Sequence, residues 1–286
     1  GDTVAIESPA FVGLLQAIES LGLKAIEIPC RSDTGMSIDA LKLAMEQWHI
    51  SAVAVVSSFN NPSGSNMPLT HRKDLVGLLA EKEIPLIEDD LFGDLAHSGL
   101  SIPPAKSFDK KGLVLYCSSI SKSVAPGFRV GWVSPGKYYN EIAFLKSFTN
   151  VGASSMAQWA VAEFLATGAY DRHIRSLRRN FMQQIDWFHK KIKLFFPDDI
   201  KVNRPLGGYI LWVELNNNVD TGRVFNKALE SNIAIIPGEL FSASGKYKNC
   251  LRINCAVTLD ETIETGLKKL GKIVQKIQSS SNNVLP

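Results

Sequence analysis

Lys122 is the residue with the most chemistry to offer. It sits in Ser118-Ser119-Ile120-Ser121-Lys122-Ser123, just after the apolar run Leu113–Tyr116, with Arg129 seven residues further on. A lysine amine held near cations and away from bulk water loses proton affinity and becomes a nucleophile toward aldehydes. Serine hydroxyls beside a guanidinium suit a phosphate oxyanion. Two more polar groups follow apolar runs of the same kind: Asn61-Pro62-Ser63-Gly64 after Val53–Ser57, and Asp89 after Leu86-Ile87. Taken singly, each has a plainer explanation: a turn, a helix cap, a solvated lysine. Taken together after strand ends, they gain weight. A carboxylate such as Asp89 would keep a pyridine nitrogen protonated and make the ring an electron sink. Lysine, phosphate cup and carboxylate together describe a site for pyridoxal 5′-phosphate (PLP).

The elements that must position these groups alternate along the first half of the chain. Strands are expected at Val4–Ile6, Ala25–Ile28, Val53–Ser57, Pro85–Ile87, Leu113–Tyr116 and Val130–Val133. Helical periods fall at Phe11–Leu21 and Ile38–Trp48, and from a Thr70 cap to about Glu81. This rhythm predicts an α/β fold with a mostly parallel wound sheet, whose ligands sit at the carboxyl ends of the strands. The second half reads differently, with long helical patterns at Ser154–Thr167 and Asp171–Leu194. Short strands at Tyr209–Val213, Ile233–Ile236 and Leu251–Asn254 then mix with helices at Thr221–Glu230 and Asp260–Ile277. A boundary near residue 170 would separate a large domain, 1–170, from a smaller α+β domain, 171–286, with a frayed polar tail at Ser279–Pro286. The basic stretch from Arg172 to Lys193 has Ile174, Leu177, Phe181, Ile185, Phe188 and Ile192 at helical spacing, which predicts an amphipathic linking helix rather than a DNA-reading one.

Composition narrows the class. With 286 residues, 45% of them hydrophobic and 21% charged, the chain is an ordinary globular one, so disordered, coiled-coil and collagen-like classes fall away. A formal charge of +3 is too mild to point to nucleic acid or an anionic membrane by itself. No apolar run approaches the roughly 20 residues that span a bilayer, and no signal peptide opens the sequence. Cys30, Cys117, Cys250 and Cys255 are scattered, as reduced thiols in a cytoplasm would be. The five histidines lack metal-binding spacing, and the five tryptophans read as packing residues, with Trp132 near the lysine loop. The sequence opens at Gly1 and runs at once into a strand, so a fragment of a longer chain is expected.

Asn61-Pro62-Ser63-Gly64, Glu88-Asp89-Asp90 and the run Ser119 to Trp132 resemble the class I/II aminotransferases of PLP fold type I. Gly207 to Val213, Ile236-Pro237-Gly238 and Leu251-Arg252-Ile253-Asn254 continue the likeness in the family's order. Within that group the chain is most similar to the aminotransferase-like domain of MocR-type regulators of the GntR family. Glu7-Ser8-Pro9 with a following aromatic, the acidic triplet and Ala125-Pro126-Gly127 carry this likeness.

The resemblance implies PLP as cofactor, with Lys122 forming the Schiff base, Asp89 pairing with the pyridine nitrogen and Asn61 bonding the ring oxygen O3′. It gives Ser119, Ser121 and Arg129 the phosphate, and Arg252 the ligand carboxylate, with Phe11 also on the ligand side. Phe92 lies where many relatives have a tyrosine and keeps the ring without the phenol; Phe11 is a second such position. The family's Gly-containing phosphate loop would lie upstream of Gly1, so the resemblance implies a truncated chain and an incomplete phosphate cup. Two functions follow. One is a PLP-binding effector domain that senses an amino compound, in a homodimeric cytoplasmic regulator that meets DNA only through an upstream winged helix. The other is a freestanding aminotransferase exchanging an amino group between an amino acid and a 2-oxo acid, with Lys122 moving the proton. A cofactor-free structural relic is the third reading.

Overall fold

Apolar residues in continuous runs, rather than alternating ones, build the centre of the molecule. The computed structural model describes residues 1–100 and 102–282. In chain order the first half holds β1 (Thr3–Ser8), α1 (Val12–Ser20), β2 (Lys24–Arg31), β3 (Gly35–Met36), α2 (Ile38–Gln47), β4 (Ala52–Val56), α3 (Leu69–Lys82), β5 (Leu86–Asp89), β6 (Val114–Ser119) and β7 (Gly131–Ser134). These strands form one sheet in the order β3-β2-β1-β4-β5-β6-β7. Pairings from β2 through β6 are parallel, and β3 and β7 run antiparallel at the two edges.

Both faces of the central strands are covered, which explains their unbroken Val/Ala/Ile character. Ala5, Val53, Val55, Leu86 and Val114 pack under Leu41 and Ala44 of α2 and Leu75, Val76 and Leu79 of α3. Val4, Ile6 and Ala54 pack under Ile18, Leu14 and Leu15 of α1. The order reverses at β1, which has β2 on one side and β4 on the other. Loops leaving β1 and β4 therefore diverge and leave a crevice at their carboxyl ends.

The second half contains α4 (Tyr139–Thr149), α5 (Ser155–Ala166), α6 (Ala169–Phe195), β8 (Lys201–Val202), β9 (Ile210–Glu214), α7 (Thr221–Leu229), β10 (Ile236–Pro237), β11 (Cys250–Asn254) and α8 (Glu261–Asn282). An antiparallel sheet in the order β10-β11-β9-β8 packs Leu211, Val213, Leu251 and Ile253 against Ile185, Phe188 and Ile192 of α6, Val224 of α7 and Leu270 and Val274 of α8. The first turns of α6 face the other way: Ile174 and Phe181 join Phe59, Phe92 and Leu95. The basic stretch is thus one amphipathic helix serving two cores.

Several expectations shift. Thr70 lies inside α3, because Pro68, with φ preset near −60°, starts that helix before it. The tail is ordered further than its composition implies: α8 runs to Asn282, with the Ser279 and Ser280 hydroxyls bonding back to the carbonyls of Gln275 and Lys276. Residues 283–286 lie outside the described ones. Trp187 and Trp212 pack against Phe188 and Phe241, whereas Trp48, Trp132 and Trp159 stand largely exposed. The four cysteines are free thiols. Among the described residues no helix is long and apolar enough to cross a membrane, and no three His, Cys, Asp or Glu side chains group as a metal site would.

Candidate functional site

Phe11, Asn61 and Lys122 follow β1, β4 and β6 and Asp89 ends β5, four neighbouring parallel strands, so the sheet order itself gathers them along one edge. Phe11 immediately precedes α1. With Glu7, Leu14, Val56, Asp89 and Cys117 it lines a cavity of about 200 Å³ at that edge.

Asn61 belongs to a tight turn. The Asn60 N–H donates to the Ser65 carbonyl at 2.8 Å, and the Gly64 N–H to the Asn60 carbonyl at 2.7 Å. Gly64 has φ +71°, and a Cβ there would lie 2.5 Å from Nδ2 of Asn203, so only glycine fits. Arg72 ties the base of the turn to the sheet. It is fully buried and donates to the carbonyls of Met67, Pro103 and Ser57, to the Ser58 hydroxyl and to Oδ1 of Asn66.

The acidic triplet divides its labour by strand alternation. Glu88 points inward and accepts from the Ser57 hydroxyl and from the N–H groups of Ala105 and Lys106 at 2.6–2.8 Å, while burial pushes its pKa up. Asp90 accepts from the Tyr116 hydroxyl at 3.2 Å, and its carbonyl accepts from Ser118. Asp89 faces the site. Its Oδ1 accepts from the Leu91 N–H at 3.2 Å, and its other oxygen makes no hydrogen bond among the described residues. Burial, with some help from Asp90, lifts its pKa to about 6, and the Leu91 N–H and the Lys122 charge pull the other way.

Lys122 is half-buried on a loop pinned by Ile120, whose side chain is sealed in the protein and whose carbonyl accepts from the Val124 and Ala125 N–H groups. Next to it, the Ser121 N–H donates to the Ser119 hydroxyl at 3.2 Å, and Nη1 of Arg129 reaches the Ser121 hydroxyl at 3.5 Å. Arg129 takes a left-handed backbone with φ +54°, which turns its side chain back over the serines. His173 Nε2 lies 2.7 Å from the Ser123 carbonyl and holds the far side of the loop.

The second sheet contributes Arg252 on β11. Its Nη1 donates to Oδ1 of Asn61 at 3.0 Å, its guanidinium lies 5.6 Å from the Phe241 ring centroid, and its buried Nε has no partner. Burial lowers its proton affinity, offset in part by Tyr209. A buried guanidinium with a free donor is a receptor for a carboxylate. Phe92 sits deeper than its neighbours, edge-on to Tyr209 at 5.6 Å and close to Gly208.

The residues present therefore fit a phosphorylated pyridine aldehyde. An amine stands by an acid able to ionise against the ring nitrogen, a Ser-Ser-Arg cup suits the phosphate, and an amide with a free donor side suits a ring oxygen. Glu7, Asn60 and Arg72 are buried, hydrogen-bonded residues beside the site that the sequence did not single out for a role. For Arg72 the signal was available: it occupies the apolar face of α3, in register with Leu75, Val76 and Leu79.

The sequence profile described as Aminotransferase class I and II matches residues 1–270. The chain is 41% identical over 276 residues to the HTH-type transcriptional regulator YjiR of Escherichia coli K12, covering 96% of this chain and 59% of that protein. It is 29% identical to aromatic-amino-acid aminotransferase 1 of Thermococcus litoralis, covering 96% of this chain and 67% of that one. The α-aminoadipate aminotransferase LysN of Thermus thermophilus, solved with N-(5′-phosphopyridoxyl)-L-leucine, superposes with a TM-score of 0.92 at 26% identity over 98% of this chain and 72% of that one.

Proposed function

This chain belongs to the aminotransferase class I and II family, with the PLP fold type I, and we propose that it is the PLP-binding effector domain of a GntR/MocR-type transcriptional regulator. The family and the phosphopyridoxyl-bound neighbour indicate pyridoxal 5′-phosphate as the cofactor. The observation that carries the effector reading is the 41% identity to an HTH-type regulator of which the chain spans 59%. In the whole protein a winged-helix part would contact DNA, and the working form would be a cytoplasmic homodimer. Residues 1–170 would form the cofactor-binding part and 171–286 the smaller part.

Each side chain then has a task. Lys122 would hold the cofactor's aldehyde through its amine, Asp89 would keep the proton on the pyridine nitrogen, and Asn61 would donate to the ring oxygen. Ser119, Ser121 and Arg129 hold the phosphate, and Arg252 takes the carboxylate of an amino compound. When bound, PLP withdraws electrons from the carbon next to the ligand's amino group. A freestanding aminotransferase is the second reading, supported by the intact set Lys122, Asp89 and Arg252. In it the Lys122 amine would also serve as the base that moves the proton of the ligand's α-carbon. Phe92 favours sensing over turnover, because no phenol there helps polarise the bond to Lys122.

The test is a visible spectrum of the chain with PLP, before and after a pool of amino acids. A band above 400 nm, fixed by borohydride and mapped to Lys122, is the expected result (on the order of 400 nm, as conjugation of an amine with the ring requires). Persistence of a shifted band with amino acids favours the sensor, and its bleaching with release of 2-oxo acid favours the enzyme. No band in folded protein overturns the cofactor assignment.

A further inference from the structure

The end of β1 carries a buried acid that the site above leaves unused. Glu7 is 3% exposed, and its Oε2 accepts from two donors at 2.7 Å, the Val56 N–H and Nδ2 of Asn60. Its Oε1 is sealed from solvent without a hydrogen-bond partner. Gly35 and the Met67 side chain stand near that oxygen.

Asn60 passes the constraint on. While its Nδ2 is held by Glu7, its Oδ1 accepts from the Ser63 N–H at 3.2 Å and the Ser63 hydroxyl at 2.9 Å. One side chain thus spans the mouth of the turn and fixes it to β1. Asn61, the next residue, is aimed by that turn toward Arg252.

We propose that Glu7 is a positioning residue, a double acceptor whose grip on Asn60 sets the aim of Asn61 toward the cofactor's ring oxygen. The inference rests on the PLP reading. It gives the Glu7-Ser8-Pro9 segment a purpose beyond shaping a turn. Neutrality follows from the surroundings: one oxygen with no donor cannot carry charge cheaply in a dry interior. Burial pushes the Glu7 pKa up to about 8, with the Val56 and Asn60 donors opposing and Asp89 adding to the rise. The titratable groups acting on it are Asp89 from β5 and Cys30 from β2.

Three variants of this chain test it, read by PLP affinity, by the pH midpoint of the visible band and by thermal melting without cofactor. Glu7→Gln keeps an acceptor for both donors, so its affinity stays within about twofold of the parent and its change with pH near 8 flattens. Glu7→Ala lowers affinity about tenfold, the loss of roughly one buried hydrogen bond's worth of positioning, and raises the band's midpoint because Asn61 no longer favours the ionised ring oxygen. Asn60→Ala leaves Glu7 in place, removes the link together with the two bonds from Ser63, and reproduces both changes.

Parental affinity and midpoint in folded Glu7→Ala or Asn60→Ala overturns the proposal. So does a Glu7→Gln chain as impaired as the alanine variant, since it would make charge rather than hydrogen bonding the essential property. A parent chain that takes up no PLP fails the cofactor reading itself, which these arms keep separate.

Discussion

Arg252 Nη1 donates to Asn61 Oδ1 at 3.0 Å, so a guanidinium on the second sheet and the amide of the turn after β4 form one hydrogen-bonded unit. The amide oxygen faces the guanidinium, which leaves the amide N–H₂ free to face a cofactor. On the proposed roles, a carboxylate bound at Arg252 would be felt at Asn61 without any further contact.

Replacing Arg252 by lysine removes the planar fork and the bond to Asn61 together. Affinity for an α-amino carboxylate should fall about 10- to 100-fold, the range for one or two charge-assisted hydrogen bonds. PLP uptake should change far less. Spectral titration of the cofactor-loaded chain with amino acids measures both.

With the proposed pairing to the ring nitrogen, Asp89 would set a pH limit on cofactor uptake. Its carboxyl is raised from 3.8 to about 6, so below about 6 it is neutral and has no charge to pair with a protonated ring nitrogen. PLP affinity should rise as pH climbs through about 6, and Asp89→Asn should be weak and nearly flat across the same interval. Equilibrium titrations from pH 5 to 7.5 decide it (about one unit either side of the transition).

Glu7 makes the cofactor-free fold weaker as pH rises. Its folded pKa of about 8 lies above the ordinary 4.5, so the folded state binds the extra proton in between. The stabilisation is complete below 4.5 and is lost as pH rises through about 8. Glu7→Gln should show a shallower decline of denaturant midpoint over that window.

Arg72→Met removes a buried cation that holds five acceptors around the Asn61 turn. Leaving those acceptors unpaired, with the Glu88 and Asp90 charges nearby, should destabilise the chain by about 3–5 kcal/mol. Urea unfolding of the two proteins checks the size.

Much of this arrangement was legible in residue order because parallel strands put their chemistry at one end. Asn61, Asp89 and Lys122 each follow an apolar run, and the sheet needs only neighbouring β4, β5 and β6 to bring them together. Arg252 was legible only through family likeness, since nothing local in Leu251-Arg252-Ile253 says that β11 will face Asn61. Glu7 was silent for a physical reason: a charged residue buried among long-range partners looks like any surface charge until those partners are known. Strands β3 and β8, two residues each, carry no period to read. Helix α4 buries none of its residues among the described ones, and its apolar Phe144, Leu145 and Phe148 stand exposed.

The 27 residues of α6 make a rod about 40 Å long, at 1.5 Å per residue. Its first turns are a wall of the layer beneath Phe92, and its last turns are a wall of the layer beneath β9 and β11. Neither layer can melt without stripping a side from the other. The chain should therefore denature in a single transition, and its slowest-exchanging amides should run the length of this shared axle rather than cluster in either sheet.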